Sequence, residues 1–329
     1  MKTPRKLAAL TLLLILLNLP FANAHAQGSL TPPGAPAATM KTLDQLEPRT
    51  PIASLPYTIS TPGSYYLTTN LTTTVSNAII IAASGVTLDL KGFTIYSTVA
   101  NAANGGYAIM LAGGVSDVTI SHGHIVGGVT NNGSGSYTGS GFTFGIHYSV
   151  AQPVNVHVSD VSVAKCALYG IYLGMGSASM VESCSVRTVG DFGIVAGVVK
   201  TCEAMDCAGT AISGDEVSDA RGESTGSGTG VYGTTAQNCY GSSKSGSGLN
   251  AVSAMNCYGY TAGGGYGISA DYTAENCSGT SAGGIGLHAR VANNCIGLRS
   301  GGTAIQATIA TACLAVIGTN SITYKYNMP

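Results

Sequence analysis

Cysteine residues that recur at a nearly constant interval restrict the fold of this chain more than any other feature of its sequence. Eight of the nine cysteines form one series: Cys166, Cys184, Cys202, Cys239, Cys257, Cys277, Cys295 and Cys313. Their successive spacings along the chain are 18, 18, 37, 18, 20, 18 and 18, and the spacing of 37 is two periods in which Ala220 replaces a cysteine. A fixed short period is typical of a solenoid, in which each repeat buries its apolar side chains only by stacking on its neighbours.

Within each repeat, apolar and polar residues alternate and are interrupted by turn residues. An aliphatic residue stands eight positions before the cysteine, a small or branched apolar residue stands three before it, and asparagine directly precedes it in four repeats. Alternation with a period of two predicts short strands, and asparagine suits a corner in the left-handed region of φ and ψ. The sequence therefore predicts an all-β fold, a single-stranded right-handed parallel β-helix whose coils lie about 4.8 Å apart.

The aliphatic position also predicts the number of coils. It predicts about eleven of them, anchored at Ile79, Ile109, Ile146, Ile171, Ile194, Ile212, Val231, Leu249, Ile268, Leu287 and Ile305. The coils of the first half are longer and less regular, and Asn131 to Gly141 is predicted to be an insertion loop.

Stacked cysteines in such a fold are expected to be buried free thiols. Their side chains leave adjacent coils in parallel directions, which suits a disulfide poorly. Cys207 lies outside the series and is predicted to be an exposed or reactive thiol, with an ordinary core position as the alternative.

The sequence divides into four predicted segments. Residues 1–26 are a signal peptide, residues 27–56 are a leader and N-terminal cap, residues 57–320 are the β-helix, and residues 321–329 are a C-terminal tail. The cap includes a predicted short helix at Met40–Glu47, which would cover the open first coil against edge pairing.

The N-terminus indicates export from the cytoplasm. Three basic residues in the first six precede an apolar stretch from Leu7 to Leu17, and small residues follow at spacings that signal peptidases cleave. A membrane anchor is the alternative, but the stretch is short for a span and Pro20 follows it. We expect a periplasmic, cell-surface or extracellular protein with no membrane span after cleavage.

The low charge of the chain argues against nucleic acid as a partner. Charged residues make up 9% of the sequence and the formal net charge is −1. Neutralising phosphates requires clustered Lys and Arg, which the sequence lacks after residue 6. Few charges are also expected in a β-helix, because like charges stacked on adjacent strands repel each other.

Several segments resemble exported bacterial right-handed parallel β-helix repeat proteins with the pectate-lyase-like architecture. They are Thr61–Leu67 (TPGSYYL), Val86–Ile95 (VTLDLKGFTI) and the recurring N-C-Y-G and G-I-x-A units, and the resemblance covers roughly residues 40–320. It implies an association with carbohydrate, since such proteins include polysaccharide lyases, glycoside hydrolases, epimerases, adhesins and phage tailspikes. The fold alone does not choose among these functions.

Candidate catalytic residues are few. Hydrolysis of polygalacturonase type needs grouped carboxylates, and the spacing of the acidic residues predicts no such group. His122–Gly123 matches Lys91–Gly92 in register, which predicts a turn at each. The best constellation is Asp271, His288 and Arg290 on neighbouring coils, where histidine beside a carboxylate is a usable base. A surface ion pair is the alternative interpretation.

Tyrosines supply the candidate binding residues. Tyr240 and Tyr258 occupy equivalent positions, Tyr260 is nearby, and Tyr232 and Asn250 are outward-facing positions on other coils. Exposed rings can stack on sugars or can stabilise the ladder by packing.

No cofactor or metal site is predicted. Calcium at Asp215–Glu216, with Asp191 one coil earlier, is left open.

The sequence thus predicts an exported non-catalytic structural or glycan-binding protein whose partner is a carbohydrate or a cell-surface glycan. The alternative is a polysaccharide lyase or glycoside hydrolase that acts on an acidic polysaccharide. The oligomeric state is not predicted.

Overall fold

Parallel pairing of each coil with the next organises the chain. The computed structural model describes residues 48–176 and 178–328, and there the chain forms a parallel β-solenoid of about 15 turns, which confirms the predicted fold class. The predicted signal peptide and the predicted helix at Met40–Glu47 lie outside the described residues. The predicted handedness stays a prediction.

The first half contains fourteen strands and one 3-10 helix. They are β1 (Thr50–Ile52), β2 (Tyr57–Ile59), β3 (Gly63–Leu67), β4 (Leu71–Thr73), β5 (Ile79–Ile81), β6 (Val86–Asp89), β7 (Thr94–Ser97), the 3-10 helix (Ala102–Asn104), β8 (Tyr107–Leu111), β9 (Ser116–Val126), β10 (Gly128–Asn131), β11 (Tyr137–Ser140), β12 (Phe144–Tyr148), β13 (Val154–Cys166) and β14 (Ile171–Tyr172).

The second half is more regular. Its strands are β15 (Met180–Glu182), β16 (Ser185–Val189), β17 (Ile194–Lys200), β18 (Glu203–Cys207), β19 (Ile212–Ser218), β20 (Arg221–Ser224), β21 (Val231–Gln237), β22 (Tyr240–Ser243), β23 (Leu249–Met255), β24 (Tyr258–Thr261), β25 (Ile268–Glu275), β26 (Ser278–Ser281), β27 (Leu287–Asn293), β28 (Ile296–Thr311) and β29 (Leu314–Tyr326).

Each regular coil consists of one long strand, a corner and one short strand. In β23 the side chains of Leu249, Ala251 and Ala254 are buried, and so is that of Cys257 just beyond the corner. Leu249 pairs with Val231 on one neighbouring coil and with Ile268 on the other, so the buried residues form continuous ladders inside the solenoid. The predicted alternation of inward and outward residues is confirmed.

Glycine two positions after the cysteine lets the short and long strands of a coil approach each other. A Cβ added at Gly259 would collide with the carbonyl of Gly267, at the start of the next long strand. Glycine occupies the same position in β20, β22, β26 and β28, where each residue pairs with the next. This ladder of glycines therefore allows the close approach of the two strands in each of these coils.

One corner of the solenoid repeats with nearly constant backbone geometry. Eleven residues in equivalent positions have φ between 50° and 56°: Lys91, His122, Asp160, Ser183, Thr201, Asp219, Asn238, Asn256, Asn276, Asn294 and Ala312. The interpretation of Lys91 and His122 as equivalent turn residues is confirmed. Asparagine tolerates this region better than other side-chain-bearing residues do, which explains its recurrence in the regular coils.

The asparagine side chains of this corner bond to one another from coil to coil. The Nδ2 amide of Asn256 donates to Oδ1 of Asn238 at 3.2 Å, Asn276 donates to Asn256 at 3.2 Å, and Asn294 donates to Asn276 at 2.8 Å. Asn238 in turn donates to Asp219 at 3.0 Å. We call Asn238, Asn256, Asn276 and Asn294 the asparagine ladder.

The cysteines form two ladders, which corrects two predictions. Cys207 is 0% exposed, so the prediction of an exposed thiol is wrong and Cys207 is a core position. Cys166 pairs with Val189, and Val189 pairs with Cys207, so Cys166 belongs to this second ladder and not to the series that begins at Cys184.

The spacing between Cys166 and Cys184 equals the common repeat only by coincidence. Val158 pairs with Val181, whereas Val181 pairs with Val199, so the coil that contains Cys166 is longer than the regular coil that follows it. Equal spacing along the chain therefore does not place these two thiols on one ladder.

Burial determines the acidity of the two thiols in the second ladder. Desolvation raises the pKa of Cys166 to about 12. Desolvation also raises the pKa of Cys207, and the charge of Asp206 adds to that shift. Both thiols are therefore protonated and unreactive at neutral pH.

The number of turns exceeds the eleven predicted. The ladder of aliphatic anchors continues at both ends through residues that are not aliphatic. Tyr57 pairs with Ile79, and Asn320 pairs with Ile305. Strands also lie outside the boundaries predicted at residues 57 and 320, since β1 begins at Thr50 and β29 ends at Tyr326.

The predicted insertion loop is a β-hairpin. Strands β10 and β11 pair in antiparallel fashion, and Asn131 pairs with Tyr137 near the tip. The hydroxyl of Tyr137 donates to Oδ1 of Asp206 at 2.6 Å and lies 2.6 Å from Oγ1 of Thr225. These two hydrogen bonds connect the hairpin to coils that come much later in the chain.

We expect Leu249→Ala to destabilise the protein by about 2–5 kcal/mol, because it leaves a cavity between two aliphatic neighbours. Met255→Ala in the same strand is the matched control, since the Met255 side chain is 38% exposed. Urea unfolding followed by circular dichroism measures both variants, and equal losses would show that the assignment of inward and outward positions is wrong.

A second prediction concerns the corner. We expect Asn256→Val to lower the free energy of unfolding by about 1–2 kcal/mol, because a β-branched residue is strained at a φ of 54°. Asn256→Gly loses the same amide hydrogen bonds without the strain. Its melting temperature in thermal unfolding should therefore lie between those of Asn256→Val and the unaltered protein. A glycine variant as unstable as the valine variant would contradict this origin of the effect.

Candidate functional site

The structure places the predicted site residues on two outer faces. Tyr240, Tyr258 and Tyr260 lie on the short strands that follow the asparagine corner, and Tyr240 pairs directly with Tyr258. Tyr232 and Asn250 pair with each other on the long strands. Their ladder continues through Ser269 to His288 and Gln306, so these two predicted binding residues share a face with the predicted catalytic residues.

A surface concavity of about 850 Å³ follows the asparagine corner. It extends over several coils, from the level of Ser183 to that of Ser278, and Asn238, Asn256 and Asn276 line it. Arg221, Tyr240 and Tyr258 form one side. We call it the corner groove. A groove that crosses several coils presents similar groups at each one.

Arginine and tyrosine side chains form a continuous stack along the side of the corner groove. The Arg221 guanidinium lies 4.9 Å from the centre of the Tyr240 ring. The rings of Tyr240 and Tyr258 are stacked at 5.4 Å with an interplanar angle of 13°. The Tyr258 side chain is 37% exposed. Adjacent coils hold the rings in register, so the stack presents a flat aromatic edge to solvent.

The positive charge of Arg221 in this stack is paired with nearby carboxylates. A nitrogen of Arg221 donates to Oε1 of Glu223 at 2.5 Å, and Nε of Arg221 lies 3.8 Å from Glu203. The hydrogen bond to Glu223 raises the pKa of the Arg221 guanidinium. Glu203 and Asp219 also line the corner groove, so with Arg221 its lining residues carry a net charge of −1.

The asparagine ladder keeps unused hydrogen-bonding capacity on its exposed side. A side-chain amide has two N–H donors and an oxygen with two acceptor sites. The ladder uses one donor and one acceptor site of Asn256 and of Asn276. The remaining sites face water and suit a ligand rich in hydroxyl groups.

A smaller groove of about 330 Å³ brings the predicted catalytic residues together. Asp271, His288, Arg290 and Gln306 all line it, with residues of β29 at its far end. Among the described residues, however, Asp271, His288 and Arg290 make no ion pair with one another. The alternative prediction of a surface ion pair is therefore not met. We call this concavity the bulge groove.

A β-bulge positions Asp271 in the bulge groove. Between Ala270 and Thr273 the register of β25 shifts against both neighbours, because this strand carries one extra residue. A bulge turns side chains away from the regular alternation. Tyr272, in the bulge, lies under the Arg290 guanidinium at 4.7 Å. The Arg290 charge is thus held against an aromatic ring.

His288 lies between an aromatic ring and the bulge groove. Its imidazole is 5.4 Å from the ring of Tyr266, and its Nδ1 atom is buried without a hydrogen-bond partner. Among the described residues, Asp271 is the one carboxylate that lines the groove. Hydrolysis by a pair of carboxylates therefore lacks its second group here. The three side chains offer a base, a carboxylate and a cation.

The acidic residues considered for calcium do not converge. Oδ2 of Asp215 accepts a hydrogen bond from the Gly176 amide at 2.7 Å. Asp191 instead lies beside Gly209, since the Gly209 amide donates to the Asp191 carbonyl oxygen. Gly209 stands six residues before Asp215 along the coil. Burial raises the pKa of Asp191. Within residues 48–176 and 178–328, no three or more His, Cys, Asp or Glu side chains are grouped for a metal ion.

An aromatic cluster in the first half was not predicted from the sequence. Its seven half-buried rings belong to Tyr107, Phe144, His147, Tyr148, Tyr169, Tyr172 and Phe192. His147 is stacked on Tyr172 at 5.1 Å because the two residues pair on adjacent coils. Desolvation lowers the pKa of His147. The signal in the sequence was an aromatic residue two positions before each of four successive aliphatic anchors, Ile109, Ile146, Ile171 and Ile194, which unequal coil lengths obscured.

Within the described part of the chain, no helix has the length and apolar character needed to cross a membrane.

Comparison of the chain with protein-family models, with curated proteins and with solved structures finds no match.

Proposed function

We propose that this protein binds glycan chains without catalysis, at or outside the cell surface, through the corner groove. The observation that carries the proposal is the stack of Arg221, Tyr240 and Tyr258 beside the asparagine ladder. The signal-like sequence of residues 1–26 supports the location.

The chemistry of the corner groove suits the two surfaces of a sugar ring. The apolar C–H face of a pyranose packs on an exposed tyrosine ring, and its hydroxyl groups bond to side-chain amides. Tyr258 and Asn256 offer these two groups beside each other. Because the groups recur along the groove, a polymer gains several weak contacts at once.

The charge of the groove favours neutral glycans over acidic ones. Arg221 is already paired with Glu223 and Glu203, and Asp219 adds a further carboxylate. A uronate chain would meet these carboxylates without a free cation to offset them.

We expect Tyr258→Ala to weaken binding of a neutral polysaccharide about tenfold, through loss of the exposed stacking ring. Affinity gel electrophoresis with a panel of plant and bacterial polysaccharides measures the effect. Tyr96→Ala is the matched control, since its ring is 39% exposed on β7, far from the corner groove. Binding that both variants keep at full strength, or a preference for acidic polymers, would overturn the proposal.

The β-bulge supports a second candidate function, that of a polysaccharide lyase or glycoside hydrolase that uses the bulge groove. It brings Asp271 together with His288 and Arg290 around one concavity. Histidine is suited to proton abstraction and arginine to pairing with a uronate carboxylate. The missing second carboxylate, and the position of Arg290 over Tyr272, favour the binding function.

An assay with acidic polysaccharides separates the two candidates. We expect the intact protein to release neither unsaturated nor new reducing ends from pectate, alginate or hyaluronate. Turnover that disappears in Asp271→Ala or in His288→Ala, with folding unchanged by circular dichroism, would replace the binding function with the enzymatic one.

A further inference from the structure

Five thiols form an uninterrupted ladder along the last coils of the solenoid. They belong to Cys239, Cys257, Cys277, Cys295 and Cys313, and all five are free and buried. On each coil, the amide that follows the cysteine donates to the carbonyl of the preceding coil's cysteine at 2.8–2.9 Å, as at Tyr258, Ser278, Ile296 and Leu314. The cysteines therefore lie directly above one another. We call these five the thiol ladder.

The spacing of the thiol ladder does not suit a disulfide. Adjacent strands lie about 4.8 Å apart. A disulfide requires its two sulfurs to approach to about 2.05 Å, with side chains that point towards each other. A metal ion held in a straight line between two thiolates requires about 4.6 Å if the zinc–thiolate bond of about 2.3 Å is taken as the length of each metal–sulfur bond. Linear two-coordinate binding thus matches the coil spacing without movement of the backbone.

We propose that the thiol ladder binds soft monovalent ions, Cu(I) and its analogue Ag(I), each held linearly between the sulfurs of two adjacent coils. Thiolate ligands select Cu(I) over harder ions. The geometry differs from a chelating site, in which three or more side chains converge on one point, and no such site is found among the described residues. The proposal does not depend on the glycan-binding function.

Charge balance suits the apolar interior. Each bound ion forms two metal–sulfur bonds, and one S–H bond breaks for each ion taken up, with the proton released to water. A thiolate sulfur that bridges two ions binds them at a bent angle, so ions on a straight ladder occupy alternate intervals and five thiols hold two ions. Two ions therefore replace two protons, three sulfurs keep their protons, and the loaded ladder is neutral. A neutral chain avoids the cost of an uncompensated buried charge.

The thiol ladder lies just beneath the surface. Cys239 and Cys257 line the corner groove, and Cys277 and Cys295 line the shallow concavity that continues it. The second ladder differs, since Cys207 has Val189 and Ser224 as its neighbours and therefore no adjacent thiol. Cys184 and Cys202 form a separate pair, because Ala220 follows them in the position of a cysteine.

The test is a titration of the reduced, full-length protein with Ag(I) under nitrogen. After excess metal is removed, native mass spectrometry should count about three ions per chain, two in the thiol ladder and one between Cys184 and Cys202. X-ray absorption should find two sulfur ligands, and no nitrogen or oxygen ligand, around each ion.

Two variants locate the ions. Cys295→Ala isolates Cys313 and leaves three consecutive thiols, so it should bind about one ion fewer. Cys257→Ala isolates Cys239 in the same way, should also bind about one fewer, and serves if Cys295→Ala fails to fold. Cys207→Ser is the control and should bind as many ions as the unaltered protein.

Three results would overturn the proposal. They are the absence of bound ions, an ion count that Cys295→Ala and Cys257→Ala leave unchanged, and a coordination shell with three or more sulfurs or with nitrogen and oxygen ligands.

Discussion

Strand spacing is the constraint on which the rest of this structure depends. Each coil hydrogen-bonds to the next along its length, so every residue lies against its equivalent about 4.8 Å away. An inward residue is therefore tolerated only if its equivalents on both neighbouring coils leave it room. Leu249 between Val231 and Ile268, and Gly259 between Gly241 and Gly279, show the two solutions that the sequence uses.

The same constraint creates the surface chemistry. Outward residues are held in rows because the inward residues fix the register. Tyr240 and Tyr258 stack because their backbones pair, and Asn256 bonds to Asn238 and Asn276 because all three have the same corner conformation. Where one extra residue interrupts the register in β25, Asp271 and Tyr272 leave the row and the bulge groove results. Regularity thus gives the chain long rows of equivalent outward side chains, and this interruption gives a local concavity.

The sequence predicted those features that depend on a constant period. The fold class, the inward ladders, the Lys91 and His122 turns and the pairing of Tyr240 with Tyr258 all follow from the spacing of equivalent residues. Cys166 was misplaced because a longer coil before Cys184 changes the register while the spacing of the two cysteines still equals the repeat. Cys207 was misplaced because the chain has a second ladder on another face, which the cysteine series could not reveal. The aromatic cluster around His147 escaped prediction since its coils share no common length, and a period is visible only when it repeats.

Distances between spin labels test the central claim, that equivalent residues of successive coils lie in one line. Labels at exposed corner positions avoid the buried native thiols, and Asn294→Cys can be paired in turn with Asn238→Cys, Asp219→Cys and Thr201→Cys. These pairs are separated by three, four and five coils, and pulsed electron paramagnetic resonance should give distances that rise by about 4.8 Å per coil, from about 14 Å to about 24 Å. Distances that do not increase in proportion to the number of coils would contradict the account.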